Sequence, residues 1–131
     1  MSVTINLKTV IQATPEQIYK AWLTSELHEK MTEGDVCVSS FEVGAKFKAH
    51  GQYIWGENLE LIPNKKIIQS WRSSSFKSED EDSIIEVSLV PIEEGTELQL
   101  VHKNLPESEV DVEQGWATHY FEPMKRFFGK K

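Results

Sequence analysis

Ser108-Glu109-Val110-Asp111-Val112-Glu113-Gln114-Gly115-Trp116-Ala117-Thr118-His119-Tyr120-Phe121-Glu122-Pro123-Met124-Lys125-Arg126-Phe127-Phe128 decides the fold of this chain. Val112, Trp116, Tyr120 and then Met124 or Phe127 recur at helical spacing, so the stretch predicts one amphipathic helix with a broad aromatic stripe. Ser108 with Asp111 three residues on resembles a capping signature. Acids crowd the first turns (Glu109, Asp111, Glu113), and Lys125, Arg126, Lys130 and Lys131 the end, complementing the helix dipole at both termini. About 20 residues make a rod of roughly 30 Å, long enough to span a sheet. Pro123 removes one hydrogen bond and crowds the carbonyl of His119, which predicts a kink there. Gly115 predicts a close crossing where no side chain fits.

What precedes this helix reads as strands. Val3, Ile5 and Leu7 alternate with Thr4, Asn6 and Lys8, predicting a half-buried strand over 3–11. Thr14-Pro15-Glu16-Gln17 is a capping-box opening, with Ala13 and Ile18 as a weak hydrophobic staple. The short helix behind it turns Ile18, Ala21 and Trp22 inward. Thr24-Ser25-Glu26 re-caps a second helix that carries Leu27 and Met31 and ends at Gly34. Strands are predicted at 36–41, 45–50, 53–62, 66–73, 83–91 and 96–103. Turn signals part them at Val43-Gly44, Gly51, Pro63-Asn64-Lys65 and Glu94-Gly95. Short links between consecutive strands mean an antiparallel meander. Alternation puts Leu59 with Leu61, Ile67 with Trp71, Ile85 with Val87 and Leu89, and Leu98 with Leu100 and His102. The fold class expected is α+β: a strand, two short helices, a six-stranded antiparallel meander and a long terminal helix packed across the curved sheet.

At 131 residues and 39% apolar content the chain is expected to form a single domain over 1–131. No apolar run reaches the roughly 20 residues of a membrane span. The N-terminus lacks the pattern of a secretory signal, and one cysteine, Cys37, builds no disulfide framework; both favour the cytoplasm. A net charge of −7 disfavours nucleic acid and anionic membranes, and suits a basic partner surface.

The order of elements is the helix-grip arrangement of the START-like superfamily, and within it the chain resembles the C-terminal domain of the activator of heat shock protein 90 ATPase. Three stretches carry the resemblance. Thr14-Pro15-Glu16-Gln17-Ile18-Tyr19 with Leu23-Thr24-Ser25-Glu26-Leu27 is similar to that family's opening helices. Gly44-Ala45-Lys46-Phe47, Gly51, Gly56, Leu61-Ile62-Pro63 and Ile67-Ile68-Gln69-Ser70-Trp71-Arg72 resemble its central sheet. Gly115-Trp116, Tyr120-Phe121-Glu122, Met124-Lys125 and Phe128-Gly129 resemble its last helix. The resemblance implies a non-catalytic binding module that docks on a heat shock protein 90-type chaperone or on another protein. In the eukaryotic co-chaperone a separate N-terminal domain makes the main stimulatory contact, so full activation by that route is not expected of these residues.

No catalytic constellation can be read. Cys37 has no base near it in sequence and reads as a small buried hydrophobe. Of four histidines, His28, His50, His102 and His119, only His102 and His119 are candidates to meet near a cavity. They read first as satisfied core groups; a proton-shuttling pair in a cyclase- or hydrolase-like enzyme is the sharper alternative. No catalytic residue, metal ligand or cofactor is assigned.

Phe47, Tyr53, Trp55, Trp71, His102, Trp116, Tyr120 and Met124 are candidates to line a cavity between helix and sheet. They either enclose a small hydrophobic ligand, with Arg72, His102 and Tyr53 as polar anchors, or fill the space as a solid core. In the second case Tyr120 is expected to bond His102. Candidate protein contacts are Glu79, Asp80, Glu81 and Asp82 in the acidic loop, the acids of 107–113, and Lys125 and Arg126.

Overall fold

The structure is a computed structural model that describes residues 2–32, 38–49, 54–74, 76–106 and 112–129. Cys37, His50, Tyr53, Lys130, Lys131 and the acids of 107–111 lie outside the described residues, as do Gly34, Gly51 and the cap at Ser108.

Strand β1 (Ser2–Ile11) is followed by helices α1 (Pro15–Leu23) and α2 (Ser25–Thr32). Strands β2 (Lys46–Ala49), β3 (Ile54–Ile62), β4 (Lys66–Ser73), β5 (Ser83–Ile92) and β6 (Gly95–Pro106) come next. Helix α3 (Val112–Trp116), a π-helical segment (Ala117–Phe121) and helix α4 (Glu122–Gly129) close the described chain. The capping box forms as expected: the Gln17 backbone N–H donates to Thr14 Oγ1 at 3.1 Å, and the Thr14 N–H to Gln17 Oε1 at 2.9 Å.

All pairings are antiparallel, in the order β1-β6-β5-β4-β3-β2. The meander stacks outward from β6 to β2, and β1 returns to cover the other side of β6. Register aligns the inner rows. Leu7, Leu100, Val87 and Ile67 lie side by side, as do Ile5, His102, Ile85 and Gln69. The period-2 assignments on β4, β5 and β6 therefore hold, and Ile67, Trp71, Ile85, Val87, Leu89, Leu98, Leu100 and His102 are all buried.

Three expectations change. The first meander strand, 36–41, is represented among the described residues by a single bridge, Val38 to Lys48. Beyond Val38 the chain turns to side-chain partners: the Ser39 N–H donates to Ser25 Oγ at 2.8 Å, and the carbonyls of Ser40 and Glu42 accept from Asn58. The described sheet thus has six strands with β1 among them. On β3 the register shifts between Asn58 and Glu60. This irregularity separates Leu59, which is exposed, from Leu61, which packs against the core.

Gly115 is not at a close crossing, because a Cβ there would meet nothing within 4 Å. Close approaches lie instead at Gly95, where a Cβ would run into the Ile11 carbonyl, and at Gly56, where it would run into the Ser70 carbonyl and sit 2.9 Å from the Phe47 ring.

Pro123 acts where the sequence places it, and the outcome is a π turn. Without an N–H, Pro123 cannot donate to the carbonyl four residues before it. The Glu122 N–H reaches back to Ala117 O, five residues away. The widened turn gives the proline ring room and lets the helix continue.

Candidate functional site

The terminal helix lies over a layer of rings drawn from six elements. Trp22 comes from α1, His28 from α2, Phe47 from β2, Trp71 from β4, His102 from β6, and Trp116 and Tyr120 from the terminal helix. Trp116 is the hub. Its ring centroid is 5.0 Å from Trp71, 4.8 Å from Tyr120, 5.8 Å from His102 and 6.3 Å from Trp22. Phe47 extends the layer beyond Trp71 at 5.5 Å, and His28 meets Tyr120 edge-on at 5.4 Å. Tilted and edge-to-face contacts at these separations are the favourable geometries of aromatic pairs. Met124 completes the layer, with no exposed surface.

The polar atoms in this layer settle their own proton positions. An indole N–H can only donate, so Trp116 Nε1–H donates to His102 Nδ1 at 3.0 Å. A carbonyl can only accept, so Ser83 Oγ–H donates to Trp71 O at 2.5 Å. Ser83 Oγ, 2.7 Å from His102 Nε2, is left as the acceptor of the Nε2–H. His102 is thereby fixed as the neutral Nε2–H tautomer with both ring nitrogens occupied. Burial pushes its pKa down to about 3. A second proton would have to displace the Trp116 bond, so this imidazole is poorly suited to shuttling protons near neutrality.

The same logic fixes His28. Its Nδ1–H donates to Trp22 O at 2.8 Å, and Nε2 then accepts from the Tyr120 hydroxyl at 2.8 Å. The phenol of Tyr120 thus bonds His28, and the expected Tyr120–His102 bond is replaced by two separate chains. Trp22 Nε1–H donates to Gln69 Oε1 at 3.1 Å, and Gln69 Nε2–H to Asn58 Oδ1 at 2.8 Å. Among the described residues no buried side-chain nitrogen or oxygen lacks a partner.

Phe47, Trp71, His102, Trp116, Tyr120 and Met124 are brought together as a packed layer. Trp55 is not with them. Ile54 takes the inward position on β3, and Trp55 stands 38% exposed between Lys48 and Arg72 on the opposite face. His119 lies on the exposed side of the terminal helix, away from His102. Sequence reasoning missed His28, Ser83, Gln69 and Asn58. Three of them carried a signal: Ser83 alternates with Ile85, and Gln69 with Ile67 and Trp71, so period 2 already placed both inward. His28 lies three residues before Met31, on its helix face.

Among the described residues an open groove of about 440 Å³ lies at the end of α4, lined by Gln12, Thr14, Gln17, Glu93, Glu94 and Phe128 with their neighbours. None of the cavity-lining candidates borders it. No group of three His, Cys, Asp or Glu among the described residues is placed to hold a metal. No helix among them is long and apolar enough to cross a membrane.

The acidic loop is folded around Arg72. Its Nη1 donates to Asp80 O at 2.6 Å and to Asp82 Oδ1 at 3.2 Å, and its Nη2 to Lys77 O at 2.7 Å. The Phe76 ring lies 5.5 Å from the guanidinium carbon. Glu79, Glu81 and Asp82 remain exposed, as do Lys125 and Arg126.

A curved antiparallel sheet gripping a terminal helix defines an α+β helix-grip protein. The chain belongs to the family described as "Activator of Hsp90 ATPase homolog 1-like protein", whose profile matches residues 12–129. It is 32% identical over 128 residues to the human activator of 90 kDa heat shock protein ATPase homolog 1. That match takes in 95% of this chain and 37% of the human protein, so the chain spans little more than a third of that relative. Solved structures share the fold, two of them as follows. An HSP90 activator from Plasmodium falciparum superposes with a TM-score of 0.83 at 22% identity, covering 98% of this chain and 96% of that one. An Aha1 dimer from Colwellia psychrerythraea superposes with a TM-score of 0.80 at 23% identity, covering 96% of each.

Proposed function

We propose that this chain is a non-catalytic binding module that docks on a 90 kDa heat-shock-type chaperone in the cytoplasm. The observation that carries the proposal is the 32% identity to a named activator of such a chaperone, sustained over 95% of the chain. The chemistry of the interior agrees with it. The side chains beneath the terminal helix that most resemble a reaction centre, His102 and Ser83, are committed to one hydrogen-bond chain. The recognition chemistry is therefore assigned to the surface, where Glu79, Asp80, Glu81 and Asp82 face a basic partner and Lys125 and Arg126 an acidic one. The alternative role, carriage of a small hydrophobic molecule between helix and sheet, is less well supported, because Phe47, Trp71, His102, Trp116 and Tyr120 pack against one another there.

The test is calorimetric titration of the chain into the 90 kDa chaperone of its own host, with and without ATP, at low and high salt. Saturable binding that responds to nucleotide and weakens with salt is the expected result. Absence of heat at high micromolar concentration under every condition would defeat the reading.

A further inference from the structure

The three most exposed large apolar side chains among the described residues lie within six consecutive positions: Val38 at 50%, Phe41 at 53% and Val43 at 63%. They stand on a segment that the rest of the fold holds in one shape. Asn58, 1% exposed, is its anchor. Its Nδ2 donates to Ser40 O at 3.0 Å and Glu42 O at 2.9 Å, while its Oδ1 accepts from Gln69, which in turn is held by Trp22. The Asn58 backbone takes part as well: Gly44 N–H donates to its carbonyl at 2.7 Å, and its own N–H to Ala45 O at 2.9 Å. Ser39 is held from the other side, with its Oγ donating to Trp22 O at 3.0 Å. Gly44 supplies the left-handed backbone, φ +88°, that closes the turn. The Phe41 ring leans on the buried Tyr19 at 6.1 Å, which sets where its exposed edge points.

Apolar groups in water on a loop gain nothing for the folded chain by themselves. A buried network that rigidifies the loop presenting them meets the ordering cost before any partner arrives. Glu42 separates Phe41 from Val43 in sequence and is itself exposed. The segment therefore offers two apolar anchors about one carboxylate, on a chain of net charge −7. The complementary surface is an apolar pocket with Lys or Arg at its rim.

We propose that residues 38–43 are the apolar anchor with which this chain enters such a pocket on its chaperone partner; the proposal rests on the function proposed above. Calorimetric titration of the purified 90 kDa chaperone tests it with the full chain and three variants: Phe41→Ser/Val43→Ser, Val43→Asp alone, and Glu42→Lys. Thermal melts check that each variant is folded, and Val43→Asp, which alters the most exposed of the three apolar side chains, stands in if the double variant is not. Loss of tenfold or more in affinity for the double variant, on the order of what a central anchor contributes, with a weaker loss for Glu42→Lys, supports the proposal. Native binding that all variants retain overturns the anchor and leaves the chaperone reading standing. An unmodified chain that gives no binding overturns both. Self-association of the native chain that the double variant abolishes would assign the loop to a second copy, and would also overturn the proposal.

Discussion

Two polar assemblies hold this molecule's β5 in place, and they are built on opposite terms. Beneath the terminal helix, Trp116, His102 and Ser83 form a chain of neutral donors and acceptors, each 4% exposed or less. At the β4–β5 hairpin, Arg72 gathers two carbonyls and a carboxylate, with the Asp82 side chain 54% exposed. The contrast shows that depth, not charge, sets what a hydrogen bond is worth. A buried donor that loses its partner bears the full desolvation penalty, whereas a surface group turns to water. It also shows why the ring layer, the part most like a ligand site in the sequence, behaves as structure.

The largest effect is expected at Trp116. Trp116→Ala removes the hub of the ring layer and leaves His102 Nδ1 without its donor. A loss of about 3–5 kcal/mol in urea denaturation is expected, as for buried aromatics truncated elsewhere. Trp116→Phe keeps most of the packing and deletes only the N–H, so its cost is expected near 1–2 kcal/mol. If Trp116→Phe proved as costly as Trp116→Ala, the hydrogen bond rather than the packing would dominate. If both were mild, the ring layer would not be central to the stability of the fold.

The next effect depends on pH. In the unfolded chain His102 takes up its proton near pH 6.5, whereas in the folded chain burial delays protonation to about pH 3. Between those values the unfolded state holds the extra proton. The contribution is therefore complete above pH 6.5 and is lost as pH falls toward 3, at up to about 1.4 kcal/mol per pH unit. His102→Phe is expected to cost about 1–3 kcal/mol at pH 7, because it strands the Trp116 N–H. It should also flatten the stability curve between pH 6.5 and 4, narrowing its deficit relative to the native chain. Parallel curves for the two proteins would show that His102 is not the titrating group.

These residues also mark where the sequence was legible and where it was not. Alternation on β4, β5 and β6 placed their inward residues because one face of each strand is covered and the other is not. It failed on β3, where the shift after Asn58 breaks the period, and Trp55 falls on the outer face with Ile54 inward. The terminal stripe was readable at Trp116, Tyr120 and Met124. The π turn was not, since Pro123 announces a lost hydrogen bond without saying how the helix absorbs it. The Tyr120–His28 bond joins positions 92 apart, and no spacing rule reaches that far. The anchoring of 38–45 by Asn58 was hidden likewise, because an asparagine in a strand looks like a defect until its two carbonyl partners are in place.

The smallest effect is expected at the hairpin. Arg72→Ala removes one ion pair and two bonds to carbonyls, yet water can reach Lys77 O, Asp80 O and the Asp82 carboxylate once the guanidinium is gone. The expected change in global stability is under about 1 kcal/mol, smaller still in high salt. The local change should be larger than the global one. Lys77 N–H donates to Asp80 Oδ2 at 2.8 Å inside a loop that Arg72 holds at Lys77 O, Asp80 O and Asp82 Oδ1, so that amide should exchange faster once those three ties are cut. Arg72→Lys should not restore it, because an ammonium on a flexible stem cannot span three acceptors as a planar guanidinium does. Hydrogen exchange at Lys77 in the native chain and both variants decides the matter. A global loss of 2 kcal/mol or more (on the scale of a buried partner removed) would mean that the hairpin is as structural as the ring layer, and the contrast between the two assemblies would fall.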